Sequence, residues 1–283
     1  ISNSVSSAFE NAFHVPPLAT TVVLTLLAAL IVLRKNATVK SLDFIVPVMA
    51  VCYFVITVGI VVLNFRQLPA VLARIFAEAF GLRQVAAGGF GAVLMNGVKR
   101  GLFSNEAGLG STPHAHALAK VERPQDQGAV AILGVFVDTF VVLTLTGLVL
   151  ITSGLIPQGM TGTVLTQAAF SQAFGGFGPI FIAVCMFFFA FSTIIGWYFF
   201  GQSNFKALFG EKLLPVYSII VVAFILVGST LKVDLVWALA DLFNGLMVLP
   251  NLLALLALSN LMTRLEKKPL TTMPPGRGSG AFS

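Results

Sequence analysis

Charge is what this sequence has least of. Only 10% of its 283 residues are Asp, Glu, Lys or Arg, where a soluble domain carries about 25%. With 57% of the chain hydrophobic and a mean hydropathy of +0.94, no water-soluble fold of this length hides its apolar surface, and an integral membrane protein is expected. Cysteine is scarce too. Cys52 and Cys185 both stand inside apolar runs, so they read as small buried hydrophobes and not as a disulfide framework. Strand-like alternation is missing; the apolar runs are continuous, whereas a transmembrane barrel strand alternates over roughly ten residues. Metal and phosphate signatures are missing as well. His114 and His116 are two apart, which puts them on different faces of a helix. The Gly-Leu-Gly-Ser run at 108–111 lacks the lysine and spacing of a phosphate loop. Enzyme chemistry is not expected.

What is present is a series of long apolar runs. A helix needs about 20 apolar residues to cross the hydrocarbon core, and residues 16–33, 44–63, 128–151, 178–200, 214–231 and 235–261 qualify as spans. A seventh, broken crossing is expected between residues 68 and 119. With the N-terminus outside, thirteen of the seventeen Lys and Arg fall on the inner side, and only Arg66, Arg74, Arg83 and Lys232 fall outside. That bias matches the positive-inside rule, so the net charge of +6 reflects orientation in a lipid bilayer and not a nucleic-acid partner. Residues 1–268 read as one transmembrane core, and 269–283, rich in Pro, Gly, Ser and Thr, as a disordered cytoplasmic tail.

Several polar features interrupt the apolar background. Gly88, Gly89 and Gly91 flank Phe90, and each glycine weakens a helix by about 1 kcal/mol relative to Ala. Unwound backbone survives in a membrane where it lines a cavity or binds something; close helix packing on small residues fits the same composition. Asp138 and Asp241 lie within apolar runs. Each is a candidate functional acid or the partner of a structural hydrogen bond, with Asn244 or Thr139 at hand. Ser192 and Thr193 are hydroxyls in mid-span. They either offer oxygens to a hard cation such as Na⁺ or back-bond to the carbonyl one turn earlier. Thr193 and Trp197, four apart, share a helix face. The longest polar run, KRGLFSNEAGLGSTPHAHALAK at 99–120, reads as the cytoplasmic end of the broken crossing and the link to the next, with its SNEAG stretch a possible helix N-cap.

Taken together, GVKRGLFSNEAGLGSTPHAHALAK, GVFVDTFVVLTLTGLVLITSG, LTQAAFSQAFG leading into FFFAFSTIIGWYFFG, and DLVWALADLFNGLMVLPNLLALLALS resemble, in order and spacing, the sodium–alanine (alanine or glycine:cation) symporter family. NSVSSAFENAF at the start is similar too. The resemblance implies an all-α integral membrane protein of the leucine-transporter type. Two inverted repeats place the site at the bilayer midplane, in a bacterial-type plasma membrane. This chain then begins in an outer loop, holds core helices four to ten, and needs three preceding helices of the same protein as partners. It also implies a small neutral amino acid, alanine or glycine, as substrate and Na⁺ as coupling ion. Gly88, Gly89, Phe90 and Gly91 form the unwound contact to the substrate, with Phe90 closing over it. Ser192, Thr193 and the carbonyl of Phe189 coordinate sodium. Trp197 faces the substrate side chain, and Asp138 is a weaker second cation site. A proton-coupled carrier using Asp138, a channel and a non-transporting membrane subunit are the rival readings.

Overall fold

The computed structural model describes residues 1–33, 40–80 and 89–266. Among them the order of helices is α1 (Ser2–Phe13), α2 (Pro17–Val32), α3 (Lys40–Leu63), α4 (Leu68–Phe80), α5 (Gly89–Asn105), α6 (Thr112–His116), α7 (Pro124–Thr152), α8 (Gly162–Phe174), α9 (Phe177–Phe209), α10 (Leu214–Thr230) and α11 (Val233–Glu266). The described residues contain no strand. Prolines start several of these helices. Pro17, Pro113, Pro124 and Pro215 sit in first turns, where the missing N–H costs nothing and the fixed φ already suits a helix.

Among the described residues, five stretches are long and apolar enough to cross a membrane: Phe44–Leu63, Pro124–Thr152, Phe177–Phe209, Glu211–Thr230 and Val233–Leu261. The shorter apolar α2 has 16 residues, about 24 Å of helix. In the region of the expected broken crossing stand α4 and α5, neither of them long and apolar enough to cross a membrane; residues 81–88 between them lie outside the described residues. The tail at 269–283 also lies outside them.

Helix α9 organises the interior because it is apolar all round. One side packs with α1, α2 and α10 through Val5, Leu24, Phe191, Ile194, Tyr198 and Ile225. The other packs with α3, α7 and α8 through Ile60, Val149, Leu165, Phe170, Ile182 and Cys185. The start of the chain, expected as part of an outer loop, forms a helix packed on the bundle: Val5 and Ala8 of α1 are fully buried. Small residues on that face, Ser2, Ser6 and Ala8, let backbones approach closely. The two cysteines also divide. Cys185 is buried as expected, whereas Cys52 is exposed on the outer face of α3, where an apolar neighbourhood in sequence faces the surroundings of the bundle.

A second closely packed joint lies between α8 and α9. The chain reverses through Gly175, whose φ is +58°, and Gly178 then passes so close that a Cβ would stand 2.5–2.7 Å from the backbone of Phe170 and Ser171. In α7 the ladder widens into a π-helical stretch at Val137–Val142. Such one-turn expansions expose backbone and side chains that a regular helix would hide, and this one carries Asp138 and Thr139.

Candidate functional site

The three sodium-ligand candidates come together. Ser192 Oγ donates to the Phe189 carbonyl at 2.9 Å, and Thr193 Oγ1 donates to the same oxygen at 2.8 Å. Both hydroxyls are half-buried. The local bonding is thus the back-bonding alternative. It also gathers three oxygens on one turn of α9. A hydroxyl that gives away its hydrogen keeps its acceptor lone pairs, so the arrangement presents hard oxygen donors of the kind small cations take.

The substrate candidates are divided. α5 begins at Gly89, so Gly89, Phe90 and Gly91 form the first turn of a helix and not an unwound stretch. Gly88 and the Phe90 side chain lie outside the described residues. Trp197 is half-buried, with Phe200 edge-on at 6.2 Å between ring centroids. It lines a cavity of about 520 Å³ with Ser111, His114, Asn204 and Tyr217. Its neighbours across that cavity come from the polar link, α10 and α11, not from the start of α5.

Asp138 has a partner. Ser104 Oγ donates to its Oδ2 at 2.8 Å, and Asn105 Nδ2 donates to Thr139 Oγ1 at 2.9 Å. Two adjacent residues at the end of α5 thereby grip two adjacent residues of the π-helical stretch. Asp241 has a different partner from those expected. It forms ion pairs with Arg100 and, at 3.6 Å, with Lys99. The Arg100 guanidinium also lies 4.1 Å from the centre of the Trp237 ring, a cation–π contact. Lys99 and Arg100 are therefore tied to α11, about 12 Å along that helix from Val233, and are not free charges of the link.

The polar link itself is folded. Asn105 ends α5 and Glu106 follows with φ +56°, the left-handed residue that often closes a helix. SNEAG is thus a helix exit and not an N-cap. Ser111 Oγ donates to Glu106 Oε2 at 2.5 Å, and Leu109 and Ser111 are buried. His114 stacks on Phe200 and meets Asn204 Nδ2 at 3.2 Å, while His116 Nδ1 meets Gln127 Nε2 at 2.6 Å. The histidines go to different helices, as their spacing required. Asn251 completes the fold of the link by donating from Nδ2 to the Gly108 carbonyl at 2.9 Å. Sequence reasoning passed over Asn251. The signal was the proline before it, which interrupts an otherwise regular apolar helix.

Apolar helices of this length, with hydroxyls and carboxylates among them, define a multi-pass membrane protein. A model of the sodium:alanine symporter family matches residues 1–272, and the chain belongs to that family. The family is named for symport, and the apolar spans place this chain in the cell membrane. Among similar proteins, the probable sodium/glutamine symporter GlnT of Bacillus subtilis is 42% identical over 92% of this chain and 55% of its own length. The sodium/alanine symporter AgcS of Methanococcus maripaludis is 41% identical over 92% of this chain and 58% of its own length. The sodium/proton-dependent alanine carrier protein of Bacillus sp. (strain PS3) is 35% identical over 90% of this chain and 62% of its own length. The chain thus spans little more than half the length of the curated relatives it matches.

Proposed function

We propose that this chain forms part of a carrier that couples uptake of a small neutral amino acid, alanine or glycine, to entry of sodium by alternating access. The observation that carries the reading is the convergence of the Phe189 carbonyl, Ser192 Oγ and Thr193 Oγ1 on one turn of α9. In the leucine-transporter-type arrangement proposed here, α2, α3, the α4–α5 pair, α7, α9, α10 and α11 are core helices four to ten. The remaining sodium oxygens come from helices outside this chain.

The first turn of α5, at Gly89–Gly91, meets the substrate carboxylate. The first N–H groups of a helix have no intrahelical partner and favour an anion. Trp197, one turn beyond Thr193, meets the substrate side chain. Sodium and substrate each tighten the other, as linkage requires. Replacing both Ser192 and Thr193 by Ala in the full-length protein is expected to raise, by tenfold or more, the sodium concentration for half-maximal alanine uptake. An unchanged sodium requirement with uptake intact means the hydroxyls serve only the helix.

A proton-coupled carrier is the second reading. It is favoured by the position of Asp138 in the π-helical stretch of α7, in hydrogen-bond contact with Ser104, and by the relative named for both sodium and protons. Protonation of Asp138 would then break or reverse the contact that ties α7 to α5.

A further inference from the structure

Two cavities flank the polar link. One, of about 520 Å³, is lined by Trp197; the other, of about 800 Å³, lies beside His116 and Gln127. Gly110 and Asn251 line both. Their contact is tight: a Cβ at Gly110 would stand 3.0 Å from Asn251 Oδ1 and 3.2–3.3 Å from Cγ and Cβ of the same side chain. Gly110 also has φ +84°, a conformation that residues with a side chain rarely adopt. On its other side Asn251 bonds the Gly108 carbonyl. One asparagine of α11 thus holds the link by a hydrogen bond and by surface contact at two positions two residues apart.

The helix behind Asn251 is interrupted there. Pro250 lies inside α11, so it gives no N–H to the Leu246 carbonyl, and an interior proline is where a helix bends. The link, by contrast, is held on either side of Gly110: Glu106 bonds Ser111, Leu109 and Ser111 are buried, and His114 rests on α9.

We propose that Asn251 and Gly110 form a clasp that closes the passage between the two cavities, and that bending of α11 at Pro250 opens it. Asn251 is a positioning residue in this scheme: it holds the link and touches no substrate. The proposal rests on the transport reading above and extends it, since an amino acid leaving the Trp197 side must pass the clasp to reach the far cavity.

The test uses the full-length protein with Cys52 and Cys185 replaced by Ala and Met247→Cys added as a reporter, because Met247 lines the Trp197 cavity. A membrane-impermeant maleimide is applied to inside-out vesicles and, separately, to intact cells, without sodium or alanine. Asn251→Ala and Gly110→Ala loosen the clasp from opposite sides, so failure of one variant to fold leaves the other informative. Both are expected to label at least tenfold faster than the parent in inside-out vesicles, with no gain in intact cells. A parent that already labels as fast as the variants, or variants that label as slowly as the parent, overturns the clasp. If sodium and alanine leave the parent's labelling rate unchanged, the coupling reading fails on its own, while the comparison of variants still judges the clasp.

Discussion

Gln167 ties three helices together in the interior. It is fully buried. Its amide donates to the Ala8 carbonyl at 2.9 Å and the Pro179 carbonyl at 3.0 Å, and its Oε1 accepts from Asn11 Nδ2 at 2.9 Å. One residue therefore joins α1, α8 and α9. Gln167→Leu roughly keeps the volume and removes three hydrogen bonds, each worth about 1 kcal/mol net. A fall of several degrees in the thermal unfolding midpoint of the detergent-solubilised full-length protein is expected; an unchanged midpoint would show that water replaces the amide. Trp197 belongs to the same scale. Trp197→Ala widens the cavity beside the link, and valine, leucine and methionine should then compete better against labelled alanine, because a steric clash is what lets a small pocket reject larger ligands. An unmoved rank order by side-chain size would place Trp197 away from the substrate.

Among elements, the α8–α9 hairpin has the least room to adjust. Gly178→Ala would press a methyl group into the backbone of Phe170 and Ser171 at 2.5–2.7 Å, and backbone cannot rotate aside. Gly201→Ala presses on the hydroxyl end of Tyr217, whose ring stacks on Tyr198 and Phe205 and whose hydroxyl bonds the Tyr198 carbonyl. Gly178→Ala is therefore expected to abolish or sharply reduce the yield of folded protein, whereas Gly196→Ala, with nothing within 4 Å of the added Cβ, is well tolerated; equal yields would contradict the packing at this joint. The same contrast explains which elements were legible in the sequence. Spans such as 44–63 and 214–231 announce themselves, because an uninterrupted apolar run of that length has few other fates. Helix α1 does not. Val5, Ala8, Phe9, Ala12 and Phe13 recur at helical spacing, but at 12 residues the helix is too short to stand out as a span. The π-helical stretch of α7 was equally silent, since widening one turn changes hydrogen bonds without changing residue types. At the candidate site the hydroxyls of Ser192 and Thr193 were legible, because polar side chains in mid-span stand out. The partner of Asp241 was not, since Arg100 lies 141 residues away in sequence and nothing local joins them.

For the whole molecule, the proposed transport turns on which cation gradient would drive it. Family membership sets the class of protein, while the relatives carry names for alanine and glutamine and for sodium alone or with protons. The oxygens on α9 favour sodium; the Asp138–Ser104 contact favours a proton. Uptake of labelled alanine into proteoliposomes holding the full-length protein, with internal and external pH clamped equal, separates them. An inward sodium gradient alone should drive accumulation above equilibrium, and Asp138→Asn should keep that dependence. Accumulation that ignores sodium, follows an imposed pH gradient and vanishes in Asp138→Asn would contradict sodium coupling through α9.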